Sequence, residues 1–74
     1  MIVEGKVFYT LTRRGETARH SGSAVLKITV PADATRIDWL DALTAEATTR
    51  LTLSRTVVKQ TIRVRVTDLQ RVSP

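Results

Sequence analysis

The sequence predicts an α+β domain of the order ββαβ, with one amphipathic helix packed on one face of a three-stranded antiparallel sheet. Three observations carry that expectation. Two early stretches place apolar residues at alternate positions, a central segment repeats them every three to four positions, and a final β-branched run alternates again.

Residues 2 to 12 read as the first strand, because Val3, Val7, Tyr9 and Leu11 share one parity while Glu4, Lys6, Thr10 and Thr12 share the other. Phe8 is the exception, an aromatic ring on the polar side. Residues 13 to 23 have two glycines, two serines and three arginines with no apolar period, the composition of a loop. Ala24 to Val30 alternates once more, with Ala24, Leu26, Ile28 and Val30 on one side and Val25, Lys27 and Thr29 on the other; Pro31 ends the strand.

Thr35 followed three residues later by Asp38 is a near capping box, and acids gather in the first turns, where the helix macrodipole favours them. From there Ile37, Leu40, Leu43, Ala47 and Leu51 form one stripe of an amphipathic helix of roughly four turns, with Asp38, Asp41, Ala42, Ala45, Glu46 and Thr49 opposite. Trp39 falls at the edge of that stripe, where its ring covers core and its N–H stays near water.

Thr56 to Leu69 carries the strongest strand pattern. Val58, Ile62, Val64 and Val66 share one parity, and Lys59, Thr61, Arg63, Arg65 and Thr67 the other. Gln70 to Pro74 has no pattern and is expected to fray. If the first two strands form a hairpin and the helix crosses back, the third strand pairs antiparallel beside the first, in the order 2-1-3. The last strand then lies on an exposed edge, which predicts a homodimer formed through it.

At 74 residues the chain makes a single domain, 1–74, with a narrow stability margin and little volume for an enclosed active site. It has no cysteine, so neither a disulfide framework nor a thiolate metal site is available, and a reducing, cytoplasmic setting is the expectation. The first eleven residues include Glu4, Gly5 and Lys6 and lead into Arg13 and Arg14. That is neither a secretory signal nor a membrane span.

Charge is unevenly spread. Between Pro31 and Thr49 four acids face Arg36 alone, a local charge of −3 in a chain of +5, so the rest of the chain carries +8. An acidic helix is mounted on a basic sheet. The polar parity of the three strands would gather Lys6, Thr10, Thr12, Lys27, Thr29, Lys59, Thr61, Arg63 and Arg65 on the face away from the helix, with Phe8 among them. Cations neutralise phosphates, hydroxyls donate to their oxygens, and an aromatic ring stacks on a base. The expected function is therefore non-enzymatic binding of DNA or RNA. Lys59, Arg63 and Arg65 are the expected backbone contacts, Lys6 and Lys27 extend the track, and Arg13, Arg14 and Arg19 form a flexible arm.

The alternative expectation is a small protein-binding factor of the phage or plasmid type, an inhibitor or assembly component. It would act through Asp38, Asp41 and Glu46 on the helix, whose charges complement an Arg-rich partner, or through strand addition at the sheet edge. Phe8 and Val25, apolar on the polar face, are candidates for a small contact patch. No catalytic set is legible. His20 is the sole histidine, with Glu16 as its one nearby acid; Ser21, Ser23 and Ser54 have no matching base, and Gly5, Gly15 and Gly22 do not make a phosphate loop. No metal site or cofactor is expected.

Overall fold

Alternation in the first eleven-residue stretch becomes strand β1, Ile2–Thr12, in the computed structural model, which describes residues 1–73. Val3, Val7 and Leu11 are buried, while Lys6 is exposed on the opposite side. Strand β2, Arg19–Thr29, pairs with β1 antiparallel along its whole length, from Ile2 against Thr29 to Thr12 against Arg19. The stretch read as a loop is therefore shorter than expected: Arg19–Ser23 belong to the ladder, and only residues 13 to 18 connect the strands. Gly15 makes the tight turn possible. Its φ of 78° follows Arg14, and Glu16 N–H donates to Arg13 O at 3.1 Å, the arrangement of a type II turn that requires glycine at its third position.

Gly22 survives within a strand because Tyr9, directly across the ladder, lays its ring over it. A Cβ built on Gly22 would meet the tyrosine oxygen at 2.4 Å. The aromatic side chain thus fills the space a β-carbon would normally take.

Helix α1, Arg36–Thr52, begins at the expected cap. Asp38 N–H donates to Thr35 Oγ1 at 3.3 Å, and Thr35 N–H donates to Asp38 Oδ2 at 2.9 Å, closing the capping box. Leu43 and Ala47 face the sheet and are buried, and Trp39 is half-buried beside them. Two members of the expected stripe lie elsewhere: Ile37 is 71% exposed and Leu40 is 38% exposed. The helix is rotated so that the 39–43–47 row meets the strands and Ile37 and Leu40 turn outward, while Leu51 stays half-buried. The Trp39 indole N–H is also not at water as expected; it is buried with no hydrogen-bond partner among the described residues, and Arg36 lies over the ring at 5.7 Å.

Strand β3, Arg63–Ser73, pairs antiparallel with the other side of β1, which gives the expected order β2-β1-β3. The helix thus crosses the central strand in a split β–α–β arrangement. The strand starts later and ends later than the pattern implied. Thr56–Val58 touch the end of β1 only through an isolated bridge between Arg13 and Val57, and Lys59–Thr61 form a 3-10 turn, α2, so Val57 rather than Val58 is the buried valine. At the other end Gln70–Ser73, expected to fray, are paired against Glu4, Val3 and Ile2; Pro74 lies outside the described residues.

Midway along β3 the ladder slips by one residue. Lys6 faces Thr67 and Glu4 faces Gln70, so Asp68 and Leu69 share the place opposite Gly5. Asp68 takes φ of 55°, the left-handed conformation found at the first residue of a G1 bulge, and aspartate is among the few side chains that tolerate it. The helix packs tightly over Gly5. A Cβ there would lie 2.8 Å from Val66 Cγ1 and 2.9 Å from Leu43 Cδ1, with Leu43 fully buried. Val7, Leu26, Leu43 and Ala47 form the centre of the core, flanked by Ile28, Val64, Val66 and Leu69.

Overpacking a filled site costs about 1–3 kcal/mol. Gly5→Ala should therefore lower the urea unfolding free energy by about that amount. At the bulge, Asp68→Gly should stay within about 1 kcal/mol of the parent, whereas Asp68→Val should lose roughly 1–2 kcal/mol by forcing a β-branched residue left-handed. Equal stability of all four proteins would contradict the packing and bulge described here.

Candidate nucleic-acid interface

Because β1 is paired on both sides, its even-numbered residues share one face with their ladder partners. Phe8 stands between Ser23 and Arg65, and Thr10 between Ser21 and Arg63. These six side chains surround an open depression of about 510 Å³ on the face away from the helix. Arg63 and Arg65 are exposed while Val64 and Val66 pack on the core, so the parity expected of the last strand holds in its ordered part. Lys6 lies next along β1, and Arg19, opposite Thr12, extends the same face at the turn end.

Phe8 organises the cations around it. Lys6 Nζ and Arg65 Cζ each lie 5.1 Å from its ring centroid, so the ring is flanked by two positive groups held by its quadrupole. A base stacking on this ring would have to displace one of them. Arg63 is oriented differently: its Nη1 donates to the carbonyls of Gln60 and Ile62, each at 2.9 Å, which anchors it against the 3-10 turn. With five N–H donors on a guanidinium, that anchoring leaves donors for an anion.

The cationic character does not extend along the whole sheet. Beyond Lys6, Glu4 accepts a hydrogen bond from Gln70, and Asp68 lines the adjoining hollow, so the far end of the face is mixed in charge. Lys27 lies in that region, across the ladder from Glu4, outside the Arg cluster. Val25 faces Lys6 and Phe8 faces Ser23, so the two apolar residues are diagonal neighbours rather than a direct pair.

Other residues are placed away from the platform. Lys59 lies on the 3-10 turn and Thr61 is turned inward, its hydroxyl donating to Val58 O at 2.6 Å and accepting from Thr12 N–H at 2.8 Å. Neither is on the open face, because the strand they were expected to extend is interrupted. Arg13 donates from Nη1 to Thr56 Oγ1 at 3.1 Å, and the Arg14 amide donates to Thr56 O at 2.7 Å, so the arm is tied down at its base. Arg14 and Lys59 meet instead with Arg55 around a second hollow of about 500 Å³, with Thr52 and Ser54 hydroxyls beside them. Arg55 went unnoticed in the sequence because it sits in an aperiodic connection.

His20 and Glu16 do come together, Nε2 to Oε2 at 2.5 Å across the turn, both exposed. On the helix, Asp38 is engaged in the cap and Glu46 accepts from Arg50 Nε at 2.9 Å, which leaves Asp41 as the exposed acid between them. Among the described residues no three His, Asp or Glu side chains are grouped to hold a metal ion, and no helix is long and apolar enough to cross a membrane. Comparison of the chain with protein-family models, with curated proteins and with solved structures returns no match.

The ring–cation contact is measurable. A double-mutant cycle of Phe8→Leu and Arg65→Met in urea unfolding should give a coupling of about 0.5–1 kcal/mol, the range for an exposed cation on an aromatic face. Additive effects would mean the guanidinium does not dwell over the ring.

Proposed function

We propose that this protein is a non-enzymatic binding module that takes the phosphate backbone of a nucleic acid on the open face of its sheet. The observation that carries the reading is the pair of exposed arginines, Arg63 and Arg65, lining a depression together with Thr10, Ser21 and Ser23, with Lys6 and Arg19 exposed on the same face to either side of it. Cations and neutral donors around one open hollow suit phosphate oxygens, and the helix acids lie on the other side of the sheet, where they do not repel the ligand. Recognition of this kind is sequence-independent, since nothing in the cluster has the paired geometry that reads a base edge. Lys27, Arg13 and Arg14 flank the platform and contribute to the attraction at longer range. Lys59 and Arg55 form an outlying cationic hollow near the turn end.

A second reading, a small factor that binds another protein through its helix, is favoured by one feature. Ile37 and Leu40 are exposed on the helix surface next to Asp41, an apolar and acidic combination on a helix that needs neither residue for its core.

Fluorescence anisotropy with a short labelled DNA duplex separates the two. With four phosphate contacts, log affinity should fall with log salt at a slope of about −3 to −4. Arg63→Glu with Arg65→Glu should flatten that slope by about two and weaken binding at low salt at least tenfold, whatever the base sequence. No binding of duplex or single strand at about 20 mM salt, with Ile37→Asp abolishing capture of a protein partner, would transfer the function to the helix face.

A further inference from the structure

The two edges of the sheet differ in a way that points to self-association. Along β3, the outer edge carries Arg63, Arg65 and Arg71 and is broken by the bulge at Asp68, the devices by which natural sheets discourage strand addition. Strand β2 carries its charges, Arg19 and Lys27, only toward its ends. It contains no proline and no bulge, its register with β1 is unbroken over eleven residues, and residues 21 to 26 are uncharged. No described segment pairs with its outer side.

Which backbone groups of β2 face outward follows from one pair. Met1 N donates to Val30 O at 3.0 Å, and Val30 N donates to Met1 O at 2.9 Å, so this is a hydrogen-bonded pair of the ladder. Antiparallel ladders alternate such pairs with non-bonded ones. Even-numbered residues of β2 therefore bond to β1, and Arg19, Ser21, Ser23, Val25, Lys27 and Thr29 direct their N–H and C=O groups to the open edge. Their side chains all lie on the cationic face, where Val25 is 60% exposed.

We propose that β2 pairs antiparallel with β2 of a second copy of this chain, about a two-fold axis at Ala24, to make a continuous six-stranded sheet. The position of the axis is set by length and charge. With Ala24 opposite its own copy, Arg19 meets Thr29 and all eleven residues are paired; Ser21 meets Lys27 and Ser23 meets Val25, so no like charges stand opposite each other. Shifting the axis to Ser23 would place Arg19 against Lys27, a repulsive pair on each side. Because the axis is perpendicular to the sheet, both helices stay on one side and both open faces on the other. The uncovered helix-side surface of β2, where Ala24 is exposed and Ile28 half-buried, becomes the floor between the helices.

The dimer stands independently of what the open face binds, and its test needs no ligand. Light scattering during size exclusion should give twice the 8.2 kDa chain mass at high concentration and the single mass on dilution. Ser21→Lys places a lysine against Lys27 of the copy twice over and should raise the dimer dissociation constant about tenfold. Ser21→Glu, which sets a carboxylate against Lys27 of the copy instead, should lower the constant below the parent value. Ser23→Pro removes an outward N–H and no bond to β1, so it should give a monomer with the circular dichroism of the parent; if that variant fails to fold, the charge pair still decides. A mass of one chain up to about 500 µM overturns the proposal, as does a dimer that Ser21→Lys leaves unchanged.

Discussion

The contact between Leu43 of the helix and Gly5 of the central strand is the constraint on which the rest of this small structure depends. A β-carbon at Gly5 would press on Leu43 Cδ1 and Val66 Cγ1, and Leu43 is the most deeply buried side chain of the helix. That close approach sets the helix on the odd-numbered face of β1, and period-two alternation then decides the place of every other strand residue. Val3, Val7 and Leu11 go inward because they share parity with Gly5. Lys6, Phe8 and Thr10 go outward for the same reason, and the ladder carries Arg65 and Arg63 with them.

The same contact accounts for the bulge opposite Gly5. Two residues of β3 occupy the space opposite one residue of β1 there, and the slip lets Leu69 join Val66 on the core side without leaving Gln70 and Glu4 on different faces. A chain of this size has few buried residues with which to oppose conformational entropy, so each local device counts. The capping box at Thr35, the type II turn at Gly15 and the tyrosine over Gly22 each satisfy or fill something that would otherwise cost free energy. The unpartnered indole N–H of Trp39 works in the opposite direction.

Much of this was legible in the sequence wherever one physical rule acted alone. Parity in residues 2–12 and 63–67 located the core and the open face, and Thr35 with Asp38 located the helix start, because alternation and capping are local. What was hidden depended on partners far along the chain. Arg19–Ser23 resemble a loop in composition and become strand only because β1 offers a ladder and Tyr9 covers the glycine. Residues 56–62 resemble strand in composition, yet the Thr61 hydroxyl ties down Val58 and Thr12 and the chain turns, which removes Lys59 from the platform. The rotation of the helix was likewise invisible: Ile37 and Leu43 share one apolar stripe in the sequence, yet Leu43 is buried over Gly5 and Ile37 is exposed. Of the candidate site, Lys6, Arg63 and Arg65 were found by parity, and Arg55 had no periodic signal to reveal it.

A platform built this way has its charge fixed by packing rather than by any sequence motif, so its existence reduces to which face of β1 the helix touches. Nuclear Overhauser contacts from the Leu43 methyl groups test that directly. Contacts to the Gly5 α-protons and Val66 methyls, with none to the Phe8 ring, are the result this structure predicts. Contacts from Leu43 to Phe8 or to the Arg65 side chain would place the helix on the cationic face and contradict the account.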